Sequence, residues 1–215
     1  MIPTVLHHVW VSDDIPQDIQ DLIDTFPQHL PSGWEFKLWR MDDVKSLPTF
    51  GYTAEWMPRA FMCDLVRIEI LHRYGGFYVD ADCRCVNDWS GWHRNPHGIV
   101  LCREHRGKSI FNGFMGSVAG HNQTAIMFRR MKRVADTAVA KFDDGGPFNA
   151  WLPKFSGPWA LRQALCDAGS TVKFPIGIKY GGGPPPHPVH DGRIVGVLHE
   201  GHHGWHQQQI DLGTL

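Results

Sequence analysis

No stretch of this sequence stays apolar for the roughly 20 residues that a membrane span needs, and its opening residues lack the pattern of a secretion signal. An excess of one charge is missing too. Lys and Arg number 21 against 22 Asp and Glu, a formal net charge of −1, which argues against nucleic-acid binding by bulk electrostatics. Cysteine is sparse, five in 215 residues, and never in the spacing of a structural zinc site. A chain this long builds a core without disulfide staples. Cys83 and Cys85, alternating about Arg84, read as reduced thiols, and a cytoplasmic location is the expectation. Repeats and an obvious linker are also absent.

What is present is a soluble globular composition, 42% apolar and 20% charged, with many histidines and tryptophans. "TVLHHVW" reads as a first buried strand, in which one of His7 and His8 is expected to face the core. "IPQDIQDLIDTF" places Ile19, Leu22, Ile23 and Phe26 at helical spacing. "GWEFKLW" alternates as a second strand with Trp34, Phe36 and Leu38 on one face, and Trp34 and Trp39 are expected in the core. A short helix follows over "MDDVKSL". Pro58 opens a long helix, "PRAFMCDLVRIEILHRY", that Gly75 and Gly76 stop. Strands are expected at "FYVDADC", "GIVLCRE", "NGFMGSVA" and "RIVGVLHE", and helices at "NQTAIMFRRMKRVADTAVAKF" and "GPWALRQALCDAG". The stretch Gly181–Gly192, "GGGPPPHPVHDG", suits a mobile loop. Alternating strands and helices predict one α/β domain over residues 1–215, with a mostly parallel central sheet flanked by helices.

The chemistry concentrates in "RYGGFYVDADCRCV". On a strand, Asp80 and Asp82 point to one side about 6.5 Å apart, so both can reach one hard divalent cation, Mg²⁺ or Mn²⁺. A solvated turn is the plainer alternative. In the preceding helix Asp64 and Arg67 are neighbours at i,i+3 on a semi-apolar stripe. Glu69 and Arg73 form a separate i,i+4 pair expected at the surface. The double glycine lets helix and strand lie side by side, so that Asp64, Arg67, Asp80 and Asp82 converge at one end of the sheet. The His-rich stretch His199, His202, His203 and His206 is either solvated or metal-binding. Arg129, Arg130, Lys132 and Arg133 form a basic helix face.

"CDLVRIEILHRYGGFYVDADC" resembles the signature of glycosyltransferase family 32, the sugar-binding Asp-x-Asp enzymes. More remotely it is similar to the catalytic domains of the clostridial glucosylating toxins. "IPTVLHHVW", "GWEFKLW", "FNGFMGSVAGH", "SGPWAL" and "HEGHHGW" are similar to further landmarks of the family, in the same order. Gly204 stands where the family usually has Ser, and Thr4 where Lys is common. The resemblance implies a GT-A (Rossmann-like) fold, a nucleotide-sugar donor and Mn²⁺ or Mg²⁺. It also implies transfer with retention of configuration.

Residue by residue, Trp10 matches the tryptophan that stacks on the donor base. Asp64 and Arg67 match the pair that holds donor sugar and ribose. Tyr78 matches an aromatic near the nucleotide, and Asp80 and Asp82 the cation-holding carboxylates. His199, Glu200 and His203 match the region of tail metal contacts, and Trp205 a tryptophan near the diphosphate. Residues 199–206 would thus be a metal- and diphosphate-binding tail that closes with the 181–192 loop. The expected reaction moves a hexose from a UDP-sugar, with GDP-mannose the second donor. The acceptor is open among polysaccharide, lipid-linked sugar, protein and modified DNA base. A catalytically inactive nucleotide-sugar-binding module and a metal-dependent hydrolase are the alternatives. Two carboxylates this close along a strand are poorly placed to flank a sugar as a glycosidase pair.

Overall fold

The structure, a computed structural model, describes residues 1–51, 53, 57–85, 88–103, 110–143, 156–170, 176–177, 189–190, 193–194 and 197–199. The elements run β1 (Val5–Val9), α1 (Gln17–Ile23), α2 (Thr25–His29), β2 (Glu35–Trp39), α3 (Met41–Lys45), α4 (Arg59–Tyr74), β3 (Gly76–Val79) and β4 (Cys83–Cys85). After a 3₁₀ turn (Ser90–Arg94) come β5 (Ile99–Arg103), β6 (Ile110–Ser117), α5 (Asn122–Asp143), α6 (Pro158–Asp167), β7 (Ile176–Gly177), β8 (Val189–His190), β9 (Arg193–Ile194) and β10 (Val197–His199).

Six strands form the main sheet in the order β2-β1-β3-β6-β5-β7. β2, β1 and β3 are mutually parallel, and β6 runs antiparallel to both β3 and β5. This is the α/β architecture that the alternation of elements predicts, with one reversed strand. Both faces are covered, so neighbouring residues along a strand go to opposite cores. Tyr78, Leu101 and Met115 join the core under α4, α5 and α6. Their neighbours Phe77, Val79, Val100, Cys102 and Phe114 join the other, with Phe26 and Trp89.

The turn between α4 and β3 sets the position of the site. Gly75 and Gly76 have φ of 68° and 90°, a region that favours glycine. A Cβ on Gly76 would lie 2.6 Å from the Val5 carbonyl oxygen and 2.9 Å from His7 Nε2. The two glycines therefore let β3 dock directly against β1, and α4 lies back along the sheet.

Four expectations change. Both His7 and His8 are buried. They bond the carbonyls of Gly75 and Val79 at 3.0 and 2.7 Å, so each is a structural side chain. Glu69 and Arg73 are not a surface pair: Glu69 is fully buried. Its carboxylate accepts from the backbone N–H of Thr49 and of Phe50 at 2.9 and 2.7 Å, and from Arg73 Nε. Burial is tolerated because three donors compensate the charge. β2 is an edge strand, and Phe36 is exposed where alternation predicts burial. Within Gly181–Gly192, Val189–His190 pair with Arg193–Ile194, so that stretch is not loop throughout; residues 181–188 and 191–192 lie outside the described residues.

Candidate active site

β3 ends at Val79, and Asp80, Ala81 and Asp82 form a turn rather than continuing the strand. The Asp80 N–H still donates to the Gly113 carbonyl at 2.9 Å, and the Cys83 N–H then closes on the Asp80 carbonyl at 3.1 Å. Two forces bend the chain here. The Asp80 carboxylate is drawn to Arg67, and the Ala81 methyl packs into a small cluster with Ile19, Leu22 and Ile23. The pair of carboxylates thus sits on a turn, which corrects the expectation of two side chains sharing one strand face.

The predicted convergence of helix and turn is drawn by Asp64, Arg67 and Asp80. Arg67 Nη1 donates to Asp80 Oδ1 at 2.8 Å, and Arg67 Nη2 lies 3.2 Å from Asp64 Oδ1. The fork is fixed further by the carbonyls of Cys63 and Asn112, at 3.1 and 2.9 Å. Tyr78 lies under the guanidinium at 4.7 Å and donates its hydroxyl to the same Asp80 oxygen at 2.7 Å. Burial works against the Arg67 cation, but Asp80, Tyr78 and Asp64 outweigh it and hold the group above its usual range. Burial also pushes the Tyr78 phenol well above its usual range, which keeps it a donor to Asp80 at neutral pH. The Asp64 carboxyl is pushed up by burial, against the pull of Arg67, Ser156 and Asn112.

Asp64 is enclosed: Asn112 Nδ2 donates to Oδ1 at 2.8 Å and Ser156 Oγ to Oδ2 at 2.9 Å. Sequence reasoning did not single out Asn112 or Ser156, although both lie in the stretches "FNGFMGSVAGH" and "SGPWAL". Gly113 was also missed. A Cβ there would stand 2.5 Å from Asp80 Oδ2, so only glycine lets β6 pass this close to the carboxylate.

Trp10 follows the last residue of β1, beside the turn. It is half-buried and packs on the cluster that contains Ala81. Asp82 is half-buried on the turn. Trp10 and Asp80 therefore stand at the carboxyl ends of adjacent parallel strands, where α/β sheets gather ligands. β10 pairs antiparallel with β4, and this sets the His199 backbone opposite Cys83, the residue after Asp82. Glu200, His203 and Trp205 lie outside the described residues. Among the described residues no group of three His, Cys, Asp or Glu side chains is placed to hold a metal.

Read as letters, His199–His203 is His-Glu-x-x-His, the pattern of zinc hydrolases. That motif works when both histidines share one helix face. Here His199 ends an extended strand, which removes the premise at its first residue.

Comparison with known proteins points the same way as the geometry. Residues 7–98 match the family model "Glycosyltransferase sugar-binding region containing DXD motif". Inositol phosphoceramide mannosyltransferase 1 of Schizosaccharomyces pombe is 30% identical over 94 residues, 39% of this chain and 29% of that one. Inositol phosphoceramide mannosyltransferase 3 of the same yeast is 25% identical over 146 residues, 62% of this chain and 38% of that one. The chain thus spans less than half the length of these curated relatives. Among solved structures, the PaToxG glycosyltransferase superposes with a TM-score of 0.54 at 19% identity, covering 78% of this chain and 70% of that one. The fold is therefore the α/β glycosyltransferase fold, and residues 7–98, which hold Trp10, Asp64, Arg67, Tyr78, Asp80 and Asp82, are similar to the sugar-binding region of the DXD glycosyltransferases.

Proposed function

We propose that this chain transfers a hexose from a nucleoside-diphosphate sugar to an acceptor, with retention of configuration and with the help of a divalent cation. The observation that carries the reading is the fixing of Asp80 by Arg67 and Tyr78 at the strand ends beside Trp10. The donor set fits a hard cation: two carboxylates on a half-exposed turn, with the Asp80 side chain 23% exposed. In this reading Asp80 and Asp82 hold Mn²⁺ or Mg²⁺, and His199, Glu200 or His203 completes the set from the strand and the residues after it. Bound there, the cation stabilises negative charge on the leaving diphosphate.

Each protein group then has a task. Trp10 stacks on the base, and Trp205 lies against the diphosphate. Arg67 orients the donor sugar, held by the Asp64 carboxylate. Tyr78 acts at the nucleotide end through the Asp80 carboxylate it bonds. Departure and attack on one face of the sugar, through an oxocarbenium-like ion pair, is the working mechanism. Of the two donors, a UDP-sugar and GDP-mannose, the relatives' names support a mannosyl donor. Those names also support, as acceptor, a lipid bearing a polar head, a class outside the four expected, of which lipid-linked sugar is the nearest. No helix of the described residues is long and apolar enough to cross a membrane.

The test is a thermal-shift screen of nucleotide sugars with and without Mn²⁺, followed by turnover of the best binder without acceptor. Slow, metal-dependent donor hydrolysis supports a transferase. Binding without turnover would make the chain an inactive module, and hydrolysis of unrelated esters would favour the hydrolase.

A further inference from the structure

The turn that follows Trp10 is held by more bonds than its exposure explains. The Trp10 indole N–H donates to the Asp14 carbonyl at 2.8 Å. Arg40 Nη2 donates to the carbonyls of Ser12 and Asp13 at 2.8 and 2.6 Å. Arg59 Nη1 donates to Ser12 Oγ at 2.6 Å. Bonds from a cation to a carbonyl are stronger than neutral ones, yet Asp13 and Asp14 are exposed. Nothing about a solvated turn requires this much fixing.

Arg40 is itself anchored at its backbone. It follows the last residue of β2, whose carbonyl accepts from the Trp10 N–H at 2.9 Å. Its own N–H donates to Asp43 Oδ2 at 3.0 Å at the start of α3. Arg59 is the first residue of α4, the helix that carries Asp64 and Arg67. The turn is therefore tied both to the sheet edge and to the helix of the ion network. With its N–H spent on Asp14, the polar handle of Trp10 is unavailable to a ligand. What the indole still offers is a flat, polarisable face.

We propose that Arg40, seconded by Arg59, is a positioning residue for the nucleotide base: it fixes the Trp10–Asp14 turn and so pre-sets the Trp10 ring for stacking. Pre-organisation lowers the ordering cost that binding would otherwise meet. This rests on the reading of Trp10 as the base platform.

The test is calorimetric titration of UDP and of GDP, each with Mn²⁺, into wild type, Arg40→Ala, Arg40→Lys, Trp10→Ala and the Trp10→Ala/Arg40→Ala double variant. Thermal midpoints are measured alongside, and titrations run well below the lowest. Arg40→Ala should weaken binding of the better nucleotide about tenfold, the scale of lost bonds to a charged group. Arg40→Lys should recover part of it, and Trp10→Ala should make the Arg40 change silent. With the donor sugar, the KM of Arg40→Ala should rise while kcat stays near wild type. Wild-type affinity in Arg40→Ala, or the same penalty with and without Trp10, overturns the proposal alone. Wild-type affinity in Trp10→Ala overturns the base-platform reading and the proposal with it.

Discussion

Arg67 Nη1 stands 2.8 Å from Asp80 Oδ1, joining the middle of a helix to the end of the strand that the helix precedes. Asp80 is thereby built into the protein's own ion network. A change at Asp80 disturbs Arg67 and Tyr78 as well as any cation. Asp82, on the same turn, gives a second test of the metal role. Asp82→Asn should abolish transfer and remove the Mn²⁺ dependence of donor binding, while circular dichroism and the thermal midpoint stay close to wild type. Normal donor turnover in this variant would end the metal assignment.

Gly113 offers a test at a position that makes no polar side-chain contact. Its Cβ would fall 2.5 Å from Asp80 Oδ2 and 2.7 Å from the Phe111 ring. Gly113→Ala should turn the carboxylate away and weaken metal-dependent donor binding about tenfold or more, on the scale of a small misplacement in a site. Binding of nucleotide without metal should change much less. Equal losses in both titrations would mean that the substitution disturbs the sheet and not the carboxylate.

Glu69 separates stability from function. It is fully buried and ties the Thr49–Phe50 backbone to α4, away from the Asp80 cluster. Glu69→Gln turns one acceptor oxygen into a donor facing donors. The expected loss is about 1–3 kcal/mol of unfolding free energy, read by urea denaturation, with donor turnover per folded molecule unchanged. A loss of turnover without loss of stability would refute the structural role.

Histidine burial gives the protein an acid limit. Trp39 Nε1–H donates to His7 Nδ1 at 3.1 Å, so His7 carries its proton on Nε2 and bonds the Gly75 carbonyl. A second proton would face the indole donor. Burial lowers both His7 and His8 from 6.5 to about 4. The folded state thus binds protons less readily than the unfolded chain. Stability from this source is complete above pH 6.5 and falls as pH drops towards 4, by up to ~1.4 kcal/mol per pH unit for each ring. His8→Phe, whose ring suits the slot beside Phe26, should flatten the fall in urea midpoint between pH 6.5 and 5. An unchanged slope would place the acid sensitivity elsewhere.

Much of the site was legible because its first parts are local. Asp64 and Arg67 are one helical turn apart, and Gly75–Gly76 announce the fold-back that brings Asp80 to them. Asn112 and Ser156 were not legible as site residues. They reach Asp64 from 48 and 92 residues away, and a single polar residue carries no periodic signal. Glu69 was misread because an i,i+4 partner suggests a solvated face, whereas its deciding partners are backbone N–H groups, which have no side-chain signature. The turn at Asp80–Asp82 was hidden for a related reason: a strand's apolar pattern does not say where pairing with its neighbour stops.

The pairing of β4 with β10 ties the order of synthesis to the assembly of the site. Every strand of the six-stranded sheet precedes β10 in the chain, so that sheet can close without Val197–His199. β4, which directly follows Asp82, has to wait for a partner supplied far downstream. Closing so long a loop is slow relative to local pairing. A chain cut before Val197 would therefore keep every strand of that sheet and the Arg67–Asp80 pair, yet lack the strand that brings the His199 backbone opposite Cys83.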